Sequence, residues 1–357
     1  MGRYTARDGL RYYLQCKQEG IDPRTGKEVA SAVKEFPDRD FDWAEQYFRF
    51  EETMNQKYHP NVNLGAAIAG DGLLTDHGVN HVKSVISHAQ SILVDPMQLT
   101  GYELYLLLVS IHFHDVGNIL GRDKHEEKIE SIIEKMGDSL PLDTAEQGFV
   151  TAIATAHGGY VDGSKDTIHA MNIVDESYDS VQIRCKLLAA ILRFADEISD
   201  DLGRAAPPEI SIPAANQAYH EYSKALVPVS IEGDTIKFQF RVPYDLTQNK
   251  IGKNGKKVYL YDEILNRLAK CMRELEYCKK YACGMIRLTT LNVVIGFLKQ
   301  GSSHQFQESV PLRLTLQGYP DETRSSISDY LDAGLPGTVN GLKFKDGKAV
   351  RAAMSLK

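Results

Sequence analysis

The chain is strongly apolar from Tyr102 to Phe113, a run of helical length, and turns polar abruptly at His114 and Asp115. On a helix Leu107, Ile111 and His114 share one face, and Leu104, Leu108 and Asp115 the neighbouring one. Both polar tips therefore emerge from a buried helix end. Ionisable groups there cost several kcal/mol, roughly, unless they pair or coordinate. Val116-Gly117-Asn118 breaks the helix, and Gly117 permits a tight turn beside the two residues.

The same periodicity predicts further helices. One follows Leu74, with Thr75 or Asp76 as N-cap, and brings His77, His81, Val85 and His88 to one face. Taken alone, that face reads equally as structural and as metal- or phosphate-binding. A helix over 124–136 has Ile129, Ile132 and Ile133 as its core stripe and His125 in its first turn. The helix dipole gives no support to a protonated imidazole at that end, so a neutral His125 suits the position. A helix over 145–156 ends in His157-Gly158-Gly159-Tyr160, by itself a simple helix stop. The polar stretch Asp162 to Asp179 reads as a surface lid or insertion with His169 solvated. A helix over 181–198 then aligns Cys185, Leu188, Leu192 and Asp196 and turns Glu197 towards solvent. A carboxylate on such a buried stripe calls for a cation.

Flanking this helical centre the pattern changes twice. Residues 1–62 begin polar and broken by glycines, then give a helical stretch from Phe41 to Tyr58 with Trp43, Tyr47, Phe48 and Phe50 as a core-facing aromatic stripe. After Pro207-Pro208 and Pro213, two alternating segments, Val227–Ile231 and Ile236–Val242, flank Glu232-Gly233-Asp234-Thr235 and predict a β-hairpin. A helix from Tyr261 to Cys283 aligns Ile264, Leu268, Met272 and Leu275. Leu288–Phe297 and Ser309–Leu316 read as strands. From Asp321 the chain is rich in Ser, Gly and charge and reads as loose or peripheral. The expected fold is mainly α: an all-helical core with a smaller C-terminal α+β extension. The expected parts are a helical preface 1–62, a helical domain 63–206, the extension 207–320 and a tail 321–357.

Composition narrows the function classes. Charged residues at 25% and hydrophobic ones at 43% of 357 residues are ordinary for a soluble globular protein. A formal charge of −7 argues against a double-stranded nucleic-acid binder but leaves room for a small anionic substrate held by local cations. The five cysteines, Cys16, Cys185, Cys271, Cys278 and Cys283, form no CxxC pair, which fits a reducing compartment better than a disulfide framework. The polar N-terminus and the lack of an apolar run of membrane-spanning length make a soluble, cytoplasmic protein the expectation, with no membrane partner.

In order the chain offers His81, His114-Asp115, His125, His157 and Asp196. This series resembles the HD superfamily of metal-dependent phosphohydrolases over about residues 70–205. The motifs that carry the resemblance are His81-Val82-Lys83-Ser84-Val85, His114-Asp115-Val116-Gly117 and Leu192-Arg193-Phe194-Ala195-Asp196-Glu197. Among relatives it is most similar to HD proteins with an added C-terminal α+β extension. The resemblance implies that His81, His114, Asp115 and Asp196 hold a first metal, and that Asp115 bridges to a second completed by His125 and His157. It implies a divalent transition metal, two ions of Mn, Fe, Ni, Co or Zn, and imidazole with carboxylate suits all of these. His114 and Asp115 would then belong to the catalytic centre itself.

Two departures limit the transfer. Asn118 stands where many HD phosphodiesterases have Lys, and His157-Gly158-Gly159-Tyr160 lacks the extended signature of the HD-GYP cyclic-di-GMP enzymes. His77, one turn before His81, reads as a phosphate contact or a support for the ligands. Lys83, Lys124, Lys186 and Arg204 are candidate phosphate cations, each equally readable as a solvated surface charge, and His112 is most simply a packed residue. The leading expectation is a phosphohydrolase or phosphodiesterase acting on a nucleotide or related phosphate ester through a metal-activated water, with the extension shaping the pocket or a homo-oligomer. The alternative is a catalytically silent HD-fold nucleotide sensor that signals through its extension. A purely structural helical module would leave Asp115 and Asp196 without partners.

Overall fold

A computed structural model describes residues 4–68, 73–137, 140–173, 175–207, 209–316, 318, 323–331 and 342–355. Pro208 and Asp321, two of the expected turning points, lie outside the described residues. The fold is mainly helical with a smaller sheet-containing C-terminal part. By its contacts the chain divides into two units. The first comprises Met1–Asp71, His77–Asp196 and Cys278–Ile286, and the second Gly72–Asp76, Glu197–Tyr277 and Arg287–Lys357.

The first unit is built around one helix. In chain order its helices are α1 (Leu10–Glu19), α2 (Trp43–Thr53), α3 (His59–Ile68), α4 (Val79–Ile92), α5 (Gly101–Phe113), α6 (Ile129–Met136), α7 (Thr144–Thr155) and α8 (Cys185–Glu197), whose last residue groups with the second unit. Helices α1, α2, α4 and α7 all pack on α5. Every residue of α5 is buried, as its unbroken apolar run requires. Its start is fixed by a capping box: the Thr100 side chain accepts from the Glu103 N–H, and Glu103 accepts from the Thr100 N–H. The buried Glu103 carboxylate is further neutralised by Arg184, with Nη2 at 2.6 Å and Nε at 2.8 Å. Of the aromatic stripe expected on α2, Trp43, Tyr47 and Phe50 are buried and Phe48 is half-buried. A single π-helical turn, Met54–Tyr58, carries the chain from α2 into α3.

Three local expectations differ from the structure. The polar N-terminal stretch contains α1, which buries Leu10, Leu14 and Cys16 and is closed by Gly20 in the left-handed conformation at φ 65°. Helix α4 begins at Val79 with Gly78 as N-cap, so His77 precedes the helix and Thr75 and Asp76 do not cap it. The helix expected from Val181 begins only at Cys185. Val181–Arg184 is instead strand β2, antiparallel to β1 (Asp175–Tyr178), with Asp179 and Ser180 both at positive φ in the turn between them. Val181 and Ile183 are buried while Gln182 is exposed, a period-two pattern that four residues before a long helix conceal.

The second unit holds helix α9 (Gln217–Ala225), strands β3 (Leu226–Glu232) and β4 (Thr235–Val242), the short helix α10 (Tyr244–Gln248), the hairpin β5 (Ile251–Lys253) and β6 (Lys256–Val258), helix α11 (Leu260–Tyr281), strands β7 (Thr290–Leu298) and β8 (Phe306–Thr315), and helix α12 (Gly347–Ser355). The last turn of α11, from Cys278, groups with the first unit. The sheet order is β3-β4-β7-β8, antiparallel at both outer pairs and parallel between β4 and β7. A parallel pair needs a long crossover, and α11 lies within it. The C-terminal stretch is not loose where it is described: α12 buries Val350 and Met354, Tyr330 is fully buried, and the Gly347 N–H donates to Asp262.

Candidate metal centre

The first turn of α4 and the end of α5 bring two imidazoles together beside the carboxylates of Asp115 and Asp196. In α4, His81 lies on the stripe that buries Val82, Val85 and Ile86. At the end of α5, His114 Nδ1 lies 2.7 Å from the carbonyl oxygen of Ile111. A carbonyl only accepts, so Nδ1 carries a proton and Nε2 is the ring atom turned to the site. His114 Nε2 is 3.2 Å from His81 Nε2, 3.1 Å from Asp115 Oδ2 and 3.7 Å from Asp196 Oδ1. His81 Nε2 is 3.5 Å from Asp115 Oδ2 and 3.0 Å from Asp196 Oδ1. Four donor atoms about 2.1 Å from a tetrahedral ion lie about 3.4 Å apart, so this group has the spacing that one ion needs.

Asp115 turns its other oxygen to a second group. Its backbone lies in the bridge region, φ −106° and ψ 1°, where the chain leaves α5 for a 3₁₀ turn over Val116–Leu120. Oδ1 is 3.0 Å from His125 Nε2 and 4.0 Å from His157 Nε2. His157 repeats the device of His114, with its Nδ1 2.6 Å from the carbonyl of Ala154 at the end of α7. His125 sits in a 3₁₀ turn, His125–Lys128, entered through Lys124 in the left-handed conformation at φ 48°, and its Nδ1 lies 3.3 Å from Glu126. Such partners fix the tautomer and orientation of a ligating imidazole. His81, His114, Asp115 and Asp196 form one candidate ion-binding group, and Asp115, His125 and His157 another. With only three protein atoms, the second group would leave an ion held there open to further ligands.

The electrostatics fit a site made for cations. Burial works against the charged form of Asp115, yet His114 and His77 outweigh it and hold the carboxyl well below its usual range. Asp196 is likewise held low against burial by its bonds to His114 and His81. Burial opposes protonation of His114, but Asp115 and Asp196 prevail and raise it to about 10. His157 goes the other way, down to about 4, through burial and the neighbouring His114. Two carboxylates thus demand positive charge at a place where a proton or a metal ion can supply it.

The remaining sequence candidates divide. His77 is buried, with Nε2 4.0 Å from Asp115 Oδ2 and its backbone N–H donating to Asn63 Oδ1. Lys83 is on the exposed side of α4, and Lys124 is exposed with Nζ 3.1 Å from Glu127. Lys186 is half-buried and donates to the carbonyl of His169. Arg204 belongs to the second unit, where its Nε donates to the carbonyl of Asp76. Glu197, expected to be solvated, is largely buried and paired with Lys270 at 2.6 Å within the second unit. His112 lies on a buried chain, 3.0 Å from the Tyr47 hydroxyl and 2.8 Å from His59.

Helical spacing missed three residues. Asn118 Nδ2 donates to Asp115 Oδ1 at 3.1 Å and to the Asp115 carbonyl at 3.0 Å, so the residue that departs from the familiar Lys orients the shared carboxylate. Arg122 Nη1 lies 3.4 Å from Asp115 Oδ1 and 3.4 Å from His125 Nε2. Glu126 supports His125. All three lie in or beside successive 3₁₀ turns, where a 3.6-residue period carries no information.

The arrangement of buried His and Asp on helix ends is that of an HD domain. The chain belongs to the HD-CE family, whose model matches residues 71–270, more than half of its length. No curated protein and no solved structure matches it. Among the described residues no single helix is long and apolar enough to cross a membrane.

Proposed function

We propose that this protein is a metal-dependent phosphohydrolase or phosphodiesterase that acts on a nucleotide or a related small phosphate ester. The observation that carries the reading is the division of Asp115, with Oδ2 facing His81 and His114 and Oδ1 facing His125 and His157. A carboxylate shared in this way between two ligand groups suits a pair of divalent cations. Bound there, such cations polarise a phosphoryl oxygen and make water a nucleophile near neutral pH.

The chain's own residues supply holding and orientation. Asn118 fixes the rotation of the Asp115 carboxylate, and the Ile111 and Ala154 carbonyls fix the rings of His114 and His157. Asp196 adds negative charge on the first side only. The absence of thiolate donors from either group favours a catalytic over a structural zinc-type site. Phosphoryl transfer depends on charge neutralisation and positioning more than on a protein nucleophile. A soluble cytoplasmic setting, a small anionic substrate and a role of the second unit in forming a homo-oligomer belong to the same proposal.

The test is metal content and turnover together. Protein stripped with chelator and reloaded separately with Mn, Fe, Co, Ni or Zn is assayed on nucleoside triphosphates, monophosphates, cyclic dinucleotides and short oligonucleotides. The expected result is retained metal with phosphate or nucleoside release, abolished in Asp115→Ala. Folded protein that retains no metal overturns the reading. Nucleotide binding without turnover under every metal replaces it with the silent-sensor reading.

A further inference from the structure

Arg122 stands in an unusual place for a charged residue. Its Nη1 lies 3.4 Å from Asp115 Oδ1, 3.4 Å from His125 Nε2 and 3.2 Å from Asn118 Oδ1. Those are two of the three side chains of the second group, and the same carboxylate oxygen that faces it. The guanidinium therefore brings a permanent positive charge to the second group. We infer that Arg122 holds the place of a cation at the second group, so that the two groups load unequally. The first takes its ion tightly, and the second takes one only as the guanidinium withdraws.

Withdrawal is open to this residue. Its side chain is 41% exposed, so it can turn to water without disturbing the core. It follows Gly121, at φ 103°, in the link between the two 3₁₀ turns. A dication and a guanidinium within a few ångströms repel, and in a partly buried site that repulsion is far from screened. Arg122 thus favours the singly loaded state until something draws it away. An anionic substrate group, which a guanidinium binds through paired N–H donors, has the chemistry to do so.

The inference rests on the two-cation reading proposed above, and one titration separates the two. Chelator-stripped parent protein, Arg122→Gln and Arg122→Lys are titrated with Mn(II) alone, followed by calorimetry and by bound-metal analysis after desalting. The parent is expected to bind one ion tightly and a second at least about tenfold more weakly. Arg122→Gln is expected to tighten the second ion about tenfold or more and leave the first within about twofold. Arg122→Lys, which keeps the charge, is expected to stay near the parent in the second step. A second-site affinity in Arg122→Gln equal to or weaker than the parent's overturns the inference. A parent that binds no ion removes the two-cation reading itself, and that is seen without any variant.

Discussion

Gly117 lies so close beneath His125 that a β-carbon on it would come within 1.9 Å of the His125 carbonyl oxygen. The obstacle is backbone, which cannot rotate away as a side chain could. The turn that follows Asp115 and the turn that carries His125 are thereby pressed together, and this sets the distance between the shared carboxylate and its second-group partner. Gly117→Ala is expected to cost about 3 kcal/mol of stability and to weaken the second ion while the first group keeps its own. Thermal melting with metal counting checks this, and a variant that still binds two ions with parental affinities refutes it.

Stability against pH is expected to differ between metal-free and metal-loaded protein. His114 is raised to about 10, so its contribution is complete below its unfolded value near 6.5 and is lost as pH climbs through 10. His157 and His59 are lowered to about 4 and about 3, mainly by burial, so their contribution is complete above 6.5 and is lost as pH falls towards those values. Asp115 and Asp196, held low, add losses at still more acid pH. Metal-free protein should therefore melt highest near neutrality and decline on both sides. An ion at His114 Nε2 takes the place of the proton there, so the alkaline decline should flatten on loading. Identical alkaline limbs in EDTA and in Mn(II) would count against an ion at that nitrogen.

Lys124 separates a backbone role from a charge role. It is exposed and sits in the left-handed conformation, which costs a residue with a β-carbon about 1 kcal/mol. Lys124→Gly is expected to be neutral or stabilising by up to about 1 kcal/mol and to leave turnover unchanged. A fall in turnover at constant metal content would return Lys124 to the list of phosphate contacts.

His112 belongs to a different network from its neighbour His114. Burial holds it well below its ordinary value, so it is neutral and exchanges hydrogen bonds with Tyr47 and His59. His112→Leu is expected to cost about 2 kcal/mol by leaving His59 short of a partner, without altering metal stoichiometry. Loss of an ion in a variant that remains folded would place His112 in the metal centre's support.

The sequence was most informative where period and burial coincide. Helix α5 needed only its apolar run and its polar end, and the HD series along helix ends brought together His81, His114, Asp115, His125, His157 and Asp196. The misses share a physical cause. Asn118, Arg122 and Glu126 act from or beside 3₁₀ turns, whose geometry depends on the close approach at Gly117 rather than on any repeating pattern. β2 was hidden because four residues leave too short an alternation before a helix. The stretch that forms α12 is rich in Ser, Gly and charge, yet Val350 and Met354 find cover in the second unit. Charge alone makes Lys83 and Lys124 candidates, and charge says nothing about which way a side chain points.

The carbonyls of Ile111 and Ala154 belong to the final turns of α5 and α7, where helices leave acceptors without donors. By accepting hydrogen bonds from the Nδ1–H groups of His114 and His157, they order two rings as the helices themselves form. The entropy of arranging those rings is thus lost during folding, not at the moment an ion arrives. This chain then differs from small zinc modules, which collapse only around their metal. With these two rings already oriented by the backbone, an ion arriving at them would meet a standing template and would not have to fold the domain around itself.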